Sequence, residues 1–492
     1  MSRTRMLGNG VVATLTAVAG LAAMAVSAPV ASAAATCGNS SWDFDGDAMP
    51  DVAVGALYGG RDQSGTVQVR LSNHGRLRVV EIANPEPDEA DLFGAALAEV
   101  PSYVDEGRPT RCTQLAVGAP GEDAGGSDRG AVYVFAYDQV TRSFSRHVEL
   151  RPGLNGLPGR GQDGARFGAA LAAPPHLEDT EPLLSTLYVG APGTNRAGAM
   201  GAGAVTGMEI DPATARAVNP RTFSWGDGTR AGSDPSVAAE FGATLAVSRQ
   251  GILFVGAPQQ RTGGRVGGAV QWVREATEEV GARSGWLSQA TTGVPGTTED
   301  GDYFGQSLAV DDAGRDGPRL LVGIPGEDTG RVRNAGAVAV VPFDANGLHP
   351  ASRSRVLDQG VPGVAGTPEA GDEFGSAVSV VPDPEASRTL RSYLVGVPGE
   401  SIGSARRTGL VQTLSGNLAW HQDSPGVPGR AESDDQMGAT LSGINVGVPG
   451  ENDDAGAMIS GLPIDGLGGY TWTADQPRSG AAYGCAIGSD AP

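Results

Sequence analysis

The sequence Leu-Ala-Val-Gly-Ala-Pro occupies residues 115–120, and near-copies of it recur along the chain. Each copy is a short apolar run that ends in glycine, an aliphatic residue and proline. The others are LYVGAP at 187–192, LFVGAP at 253–258, LLVGIP at 320–325, YLVGVP at 393–398 and INVGVP at 444–449, and VAVGAL at 52–57 is a copy without proline. Successive glycines of these copies are 63, 72, 66, 67, 73 and 51 residues apart. Repeats of this length predict a radial array of small sheets.

A second motif, an aromatic residue or methionine followed by glycine, precedes every copy except the first. The pairs are Phe93-Gly94, Phe167-Gly168, Phe241-Gly242, Phe304-Gly305, Phe374-Gly375 and Met437-Gly438. A glycine-led apolar run follows the copies, and a last run holds a tryptophan in several repeats, such as Trp286 and Trp420. Four short apolar runs per repeat predict a blade of four antiparallel strands.

The two chain ends carry the unmatched halves of this pattern. The copy at Gly55 has no aromatic-glycine pair before it, and the pair Tyr483-Gly484 has no copy after it. If the C-terminal strand forms the inner strand of the N-terminal blade, both halves are matched and seven blades result. Such closure also removes exposed strand edges. We therefore predict an all-β, seven-bladed propeller of four-stranded antiparallel blades, closed by the C-terminal strand.

The chain is acidic, with 56 Asp and Glu residues against 35 Lys and Arg and a net charge of −21. All of the basic residues are arginines, because the sequence contains no lysine. This excludes a Walker-type phosphate loop and a Schiff-base lysine. An acidic chain without basic patches repels phosphate backbones, so we expect no nucleic-acid partner.

The first residues are typical of a secretory signal peptide. Arg3 and Arg5 precede an apolar stretch over 11–28, and small residues follow at 31–33. We predict a signal peptide at 1–33 and the propeller over 34–492, with an uncleaved membrane anchor as the alternative. No other segment is apolar enough to span a bilayer, so we expect no membrane span after the signal is removed. We expect a secreted protein. We also expect it to be a monomer.

The ordered aromatic-glycine and Gly-Ala-Pro pairs resemble the FG-GAP repeats of integrin α-subunit propellers and of secreted bacterial integrin-like proteins. The resemblance covers residues from about Trp42 to Gly488. It implies a seven-bladed propeller, calcium in some blades, and a binding or adhesion role without catalysis.

Residues 43–51, Asp-Phe-Asp-Gly-Asp-Ala-Met-Pro-Asp, form the clearest chemical site. Carboxylates at positions one, three, five and nine and a main-chain carbonyl at position seven can surround one hard cation with oxygen. The predicted ligands are the side chains of Asp43, Asp45, Asp47 and Asp51 and the carbonyl of Met49. The alternative is an acidic, solvated turn. The resemblance supports calcium, because family propellers carry this loop between inner strands.

Two departures qualify the calcium prediction. Family loops have glycine at position six, where this sequence has Ala48, and alanine lacks the conformational freedom of glycine. Asp311, Asp312 and Asp316 are a partial second copy of the loop. We therefore predict one calcium ion, at the blade built from both chain ends, where it stabilises ring closure.

Three cysteines in an exported chain predict one disulfide and one free thiol. Cys37 and Cys112 are both expected at the calcium end of the ring, and we favour their pairing over Cys37 with Cys485. Cys485 follows Gly484 on an inner strand, where burial is expected.

The segment Gly-Glu-Ser-Ile-Gly at 399–403 matches the nucleophile motif of serine hydrolases. It aligns with Gly-Glu-Asp segments of sister repeats, and Ser401 stands where Asp123 and Asp328 stand there. We therefore interpret it as a repeat loop and expect no enzyme.

Two acidic series are predicted to meet on one face of the ring, opposite the calcium loop. The first series follows the Gly-Ala-Pro strand and comprises Glu122, Asp123, Glu327, Asp328, Glu400, Glu451, Asp453 and Asp454. The second series precedes the aromatic-glycine pair and comprises Asp163, Glu299, Asp300, Asp302, Glu369, Asp372, Glu432, Asp434 and Asp435. They bind a partner or keep the protein soluble. We favour a non-catalytic binding or adhesion module for an extracellular protein or glycan. The alternative is a secreted hydrolase or lyase that uses paired loop carboxylates at the propeller mouth.

Overall fold

The computed structural model describes most of the chain after the predicted signal peptide. The described residues are 41–60, 62–73, 76–101, 104–105, 108–109, 113–175, 185–196, 198–211, 214–226, 236–275, 282–314, 317–350, 354–381, 393–462, 470–473 and 480–489. All of them belong to one compact unit, Thr36–Pro492. The signal peptide predicted at 1–33 and the two cysteines predicted to pair, Cys37 and Cys112, lie outside the described residues.

The first part of the chain forms blades 2 and 3 and three of the four strands of blade 1. Blade 1 receives β1 (Val52–Ala56), β2 (Thr66–Asn73) and β3 (Arg76–Ala83). Blade 2 contains β4 (Ala96–Val100), a small hairpin of β5 (Val104–Asp105) and β6 (Arg108–Pro109), and then β7 (Gln114–Ala119), β8 (Ala131–Asp138) and β9 (Ser143–Leu150). Blade 3 contains β10 (Ala170–Ala172), β11 (Ser185–Ala191), β12 (Ala204–Ile210) and β13 (Ala217–Phe223).

Two further blades follow in the same up-and-down order. Blade 4 contains β14 (Thr244–Val247), β15 (Ile252–Ala257), a hairpin of β16 (Arg261–Thr262) and β17 (Arg265–Val266), and then β18 (Ala269–Arg274) and β19 (Arg283–Leu287). Blade 5 contains β20 (Leu308–Asp311), β21 (Arg319–Ile324), β22 (Ala337–Asp344), the short β23 (Gly347–Leu348) and β24 (Arg355–Leu357).

The last two blades and the closing strand complete the ring. Blade 6 contains β25 (Ala377–Val380), β26 (Tyr393–Val397), β27 (Leu410–Thr413) and β28 (Ala419–Trp420). Blade 7 contains β29 (Leu441–Ser442), β30 (Asn445–Val448), the single turn α1 (Glu451–Asp454), β31 (Ala457–Ser460) and β32 (Tyr470–Thr473). The C-terminal strand β33 (Tyr483–Ser489) then pairs with β1 in antiparallel register, Val52 opposite Ser489.

Blade 1 therefore has the order β33-β1-β2-β3, with strands from both chain ends. The innermost strands β33, β4, β10, β14, β20, β25 and β29 contact one another in turn, and β29 contacts β33 again. The prediction of a seven-bladed, all-β propeller closed by the C-terminal strand is confirmed. The apolar core lies between blades, as where Leu321 and Val338 of blade 5 pack with Tyr393 and Val395 of blade 6.

The repeated glycines are the points where neighbouring blades touch through bare backbone. A Cβ added to Gly118 of blade 2 would lie 2.0 Å from the carbonyl oxygen of Gly168 of blade 3. The same contact occurs at 1.9–2.3 Å in the other six junctions, which are Gly55 with Gly94, Gly190 with Gly242, Gly256 with Gly305, Gly323 with Gly375, Gly396 with Gly438, and Gly447 with Gly484. No side chain fits at such a distance, so every junction requires a glycine on the Gly-Ala-Pro strand.

A hydrogen bond between blades accompanies each of these contacts. The N–H of Phe167, which starts blade 3, donates to the carbonyl of Arg129 in blade 2 at 3.0 Å. The equivalent bonds of 2.8–3.1 Å run from Phe93 to Ser64, Phe241 to Ala202, Phe304 to Gly267, Phe374 to Ala335, Met437 to Thr408 and Tyr483 to Ala455. Each of these aromatic or methionine side chains is buried, so one residue supplies both a hydrogen bond and a core contact.

The blade contacts predict that Gly190→Ala destabilises the propeller strongly. The new Cβ would lie 2.0 Å from the backbone oxygen of Gly242, and neither backbone can move without disturbing a sheet. We expect a loss on the order of 3 kcal/mol in the free energy of unfolding, measured by denaturant titration. Gly161→Ala is the control, because its Cβ meets only the flexible Arg129 side chain at 3.1 Å. An equal loss in both variants would contradict the interpretation.

Candidate metal centre and loop face

The predicted metal-binding segment is a closed turn that leads directly into β1. The N–H of Asp51 donates to the carbonyl of Trp42 at 2.9 Å and closes the turn. Phe44 is fully buried and packs edge-on against Trp42, with ring centroids 5.8 Å apart. Alternation of aromatic and acidic residues therefore anchors the turn in the core and holds Asp43, which is 1% exposed, at its centre.

The structure brings three of the predicted ligands together. Carboxylate oxygens of Asp43, Asp45 and Asp51 all lie within 4.8 Å of one another. Asp51 is oriented by two main-chain donors, the N–H of Phe44 at 2.9 Å and the N–H of Ser72 at 2.8 Å. These bonds fix the position of the Asp51 carboxylate without a bound cation.

The side-chain carboxylate of Asp43 organises the turn by accepting main-chain N–H groups. Its Oδ1 accepts the N–H of Gly46 at 2.7 Å, and its Oδ2 accepts the N–H of Ala48 at 2.9 Å. Ala48 adopts a left-handed backbone with φ of 67°, a region that favours glycine. The sequence-based concern about position six is therefore a real strain in this turn.

Asp47 lies in the same turn but outside the group of three. Its Oδ1 accepts the N–H of Met49 at 2.9 Å. Its Oδ2 and the Oδ1 of Asp45 are buried and have no hydrogen-bond partner within the described part of the chain. Buried carboxylate oxygens without partners are costly, and a hard cation that prefers oxygen ligands removes that cost. The residues present therefore fit a hard cation.

Burial also opposes ionisation of these carboxyl groups. Burial raises the pKa of Asp51 to about 8, and repulsion from Asp45 and Asp43 adds to the effect. Burial, followed by repulsion from Asp47 and Asp43, raises the pKa of Asp45 to about 6. Burial likewise raises the pKa of Asp43. A bound cation reverses this balance by favouring the charged carboxylates.

The predicted metal-binding turn, which we define as residues 41–51 and call the metal turn, lies where the ring closes. Gly488 of β33 lies directly against the Trp42 ring, since a Cβ there would come within 2.1 Å of it. Glu99 of blade 2 accepts the N–H of Trp42 and the hydroxyl of Ser41, both at 2.6 Å. One turn therefore contacts the closing strand and the next blade. Glu99 lies near the end of β4, so the turn is at the end of the ring opposite the loops that precede the inner strands.

The two acidic series meet at that other end. Within each blade the loop after the Gly-Ala-Pro strand bonds to the loop before the aromatic-glycine pair, as where the N–H of Gly326 donates to the carbonyl of Asp302 at 3.1 Å. We call this end the loop face. Asp123, Asp163, Asp300, Asp434, Asp453 and Asp454 are exposed there.

Other acidic residues of these loops are buried or half-buried. Four blades carry a carboxyl pair, defined as an aspartate two residues before the aromatic or methionine and a glutamate four residues after the Gly-Ala-Pro glycine. The pairs are Asp91 with Glu122, Asp302 with Glu327, Asp372 with Glu400, and Asp435 with Glu451. The four aspartates are only 1–2% exposed.

Each carboxyl pair is bonded within its own loops. The N–H of Glu299 donates to Asp302 at 2.6 Å, and the same bond three residues apart recurs at Asp91, Asp372 and Asp435. Burial, the largest effect, raises the pKa of Asp302 to about 6 and that of Glu327 to about 7. The pairs therefore hold the loops in shape.

Three buried glutamines complete this arrangement, and sequence reasoning missed them. Gln289 donates from Nε2 to Glu327 at 2.5 Å, Gln359 donates to Glu400 at 3.1 Å, and Gln422 donates to Glu451. Their signal is a spacing in the sequence, because each lies thirteen residues before the aspartate of its carboxyl pair. Blade 3 has Pro152, Ala165 and Thr194 at these three positions, whereas blade 2 keeps Asp91 and Glu122 but has Arg78 in place of the glutamine.

Ser401, Asp311 and Cys485, which the sequence analysis singled out, make contacts that fit structural roles. The Ser401 hydroxyl accepts the N–H of Arg407 at 3.3 Å in a loop without the helix that a nucleophile motif requires. Asp311 of the partial second copy is buried and accepts the hydroxyl of Tyr393 at 2.7 Å. Cys485 is a free thiol on β33, and burial raises its pKa to about 11.

Comparison with known proteins does not assign the chain to a family. No protein-family model and no curated protein matches it. Among solved structures it is similar to a glucose dehydrogenase, at 12% identity over 75% of this chain and 93% of that chain, with a TM-score of 0.32. It is also similar to the RAG complex with one melted and one unmelted RSS, at 11% identity over 71% and 87% of the two chains, with a TM-score of 0.31. These values carry no functional argument.

Within the described ranges, no helix is long and apolar enough to cross a membrane.

The strain at position six predicts that Ala48→Gly stabilises the protein. Glycine adopts a φ of 67° without a steric penalty, whereas alanine in this region loses about 1 kcal/mol. We expect a gain of that size in the free energy of unfolding, measured with urea in saturating calcium. Ala48→Val should change stability in the opposite direction, because a β-branched residue fits this conformation worse. Equal stability of the alanine and glycine proteins would contradict the assignment.

The carboxyl pairs predict that stability falls as the pH rises from about 4 to about 7. A carboxyl whose folded-state pKa is raised holds its proton more tightly when folded, so its stabilisation is full below the unfolded pKa, near 4, and is lost through the folded value. In Asp302→Asn with Glu327→Gln neither group ionises. We expect the difference in melting temperature between pH 5 and pH 8, in chelator, to shrink by on the order of 2 °C.

Asp300→Asn is the control for this measurement. The N–H of Val266 and the side chain of Arg265 hold the pKa of exposed Asp300 below its usual value, so its contribution has the opposite sign. This variant should gain nothing at pH 8. The interpretation is wrong if the double variant and the control respond to pH alike.

Proposed function

We propose that the chain is a secreted, non-catalytic binding or adhesion module, an FG-GAP-like propeller with one calcium ion at its closing blade. It would act as a monomer and bind an extracellular protein or glycan through the loop face. The observation that carries the proposal is that the two ends of the ring are built differently. One end holds an oxygen-lined turn tied to the closing strand, and the other presents exposed loops.

The calcium part of the proposal is supported by the donor set and by its position. Asp43, Asp45 and Asp51 converge, and buried oxygens of Asp45 and Asp47 lack partners among the described residues. When bound, the ion would supply charge balance and no chemistry. Since the turn contacts Gly488 of β33 and Glu99 of blade 2, cation binding would hold the two chain ends together.

The non-catalytic part is supported by how the loop carboxylates are used. A hydrolase or lyase at the mouth needs two carboxyl groups that reach a substrate. In the carboxyl pairs the aspartates are buried and accept main-chain N–H groups, and the glutamates of blades 5, 6 and 7 accept glutamine amides. These contacts favour a framework role over acid–base chemistry.

The calcium proposal predicts that chelation lowers the melting temperature of the secreted protein. A cation that binds only the folded turn adds RT ln(1 + [Ca²⁺]/Kd), about 2.7 kcal/mol at a hundred-fold excess over Kd. Asp45→Asn should abolish most of this gain, because it removes a charged ligand whose buried Oδ1 has no hydrogen-bond partner among the described residues. The measurement is calorimetric melting in millimolar calcium and in chelator.

Asp163→Asn is the matched control, since Asp163 is an exposed loop carboxylate at the other end of the ring. It should keep the full response to calcium. Identical melts of the wild type in calcium and chelator would refute the metal site. Binding to a protein and glycan array tests the loop face separately, with Asp45→Asn in calcium-free buffer included to show whether recognition needs the ion.

A further inference from the structure

Seven equivalent residues surround the central opening on the loop face. Each lies directly before the aromatic or methionine of an aromatic-glycine pair, and each has a left-handed backbone with φ of 51–59°. They are Leu92, Arg166, Glu240, Tyr303, Glu373, Gln436 and Ala482, and we call them the mouth residues. Their chemistry differs around the ring, although their backbone is the same. The mouth is therefore not symmetric in what it offers a ligand.

A cavity of about 380 Å³ opens on one side of this mouth. Its polar lining comes from Tyr303 and Gln306 of blade 5, Asn334 of the loop before β22, and Glu373 and Ser376 of blade 6. Backbone from Pro325, Gly326, Pro398 and Ala439 forms the rest of the wall. Three blades thus build one concave site with convergent polar groups, which is the usual form of a small-ligand site.

The charges of the mouth are balanced on one side and unbalanced at the cavity. Glu240 lies 3.6 Å from the guanidinium of Arg166, so this carboxylate has its cation. Glu373 occupies the equivalent position in blade 6, and among the described residues its carboxylate has no ion pair or side-chain hydrogen bond. No basic residue lines the cavity. Tyr303 beside it is 38% exposed, and its hydroxyl has no partner within the described ranges.

We propose that the cavity between Tyr303 and Glu373 binds a primary ammonium group carried on an alkyl chain. The proposal rests on the proposed binding function and specifies its ligand chemistry. An ammonium has three donors in a compact head, and the Glu373 carboxylate, the Gln306 amide oxygen and the Ser376 hydroxyl oxygen can accept them. The Tyr303 ring can cover the charge or the alkyl chain. The exposed carboxylates of the loop face raise the local concentration of cations.

The experiment uses pentylamine as the probe and ligand-observed NMR as the measurement. Pentanol, which has the same chain without the charge, and glucose, a neutral polyol, are compared under the same conditions. We expect millimolar binding of pentylamine and at least ten-fold weaker binding of both neutral probes. Equal binding of pentanol or preferred binding of glucose would overturn the ammonium assignment.

Variants locate the site. Glu373→Gln and Tyr303→Ala should each weaken pentylamine binding at least five-fold. Glu240→Gln is the matched control, because Glu240 has the same backbone position but is paired with Arg166. Arg333→Gln is a second control, because Arg333 is an exposed arginine next to Asn334. Neither control should weaken binding, and melting temperatures confirm that all four variants fold.

This experiment can refute the ammonium site without refuting the binding-module proposal. If pentylamine fails to bind, or binds equally to Glu373→Gln, the ammonium site is refuted. The binding-module proposal then depends on the array alone. If Glu373→Gln also abolishes binding of an array partner that the wild type holds, the cavity is the recognition site of that partner.

Discussion

The contact that the structure depends on is the approach of a bare glycine backbone to the carbonyl of the next blade. It occurs at all seven junctions, from Gly55 with Gly94 to Gly447 with Gly484. The accompanying hydrogen bond comes from the residue before the second glycine, whose side chain fills the core. Backbone packing, hydrogen bonding and apolar burial thus coincide at one dipeptide, and their repetition sets the spacing of the blades.

Closure is the one step in which this repetition lacks covalent support. Blade 1 is assembled from β33 and β1, which are more than four hundred residues apart, and loop closure of that length carries an entropic penalty. The metal turn lies at this junction, with Trp42 packed against Gly488 and bonded to Glu99 of blade 2. A cation there would reinforce the weakest connection of the ring. The turn and the closing strand therefore both lie where the two chain ends must be held together.

The acidic character of the chain separates into two populations with different roles. In carboxyl pairs such as Asp372 with Glu400 the aspartate is buried and the glutamate half-buried, and burial raises the pKa of Asp372 to about 7. Carboxylates such as Asp163 and Asp434 remain exposed. Glu373, one residue from Asp372, belongs to neither population because it faces a shared cavity. Adjacent acidic residues therefore differ in their surroundings through direction alone, since successive residues in a turn point different ways.

The sequence alone determined the all-β propeller, its seven blades and its closure by the C-terminal strand. These follow from a local steric requirement, because the glycine that contacts the backbone of the next blade recurs at the same position in every repeat. It also predicted the metal turn, where three of the proposed ligands, all within nine residues of sequence, come together. Tertiary structure alone decided which acidic residues are buried, that Gln289 and its two counterparts support the carboxyl pairs, and that Tyr303 and Glu373 share a cavity. Those properties depend on how close loops that are far apart in the sequence come to one another, and the sequence of a single repeat does not specify that distance.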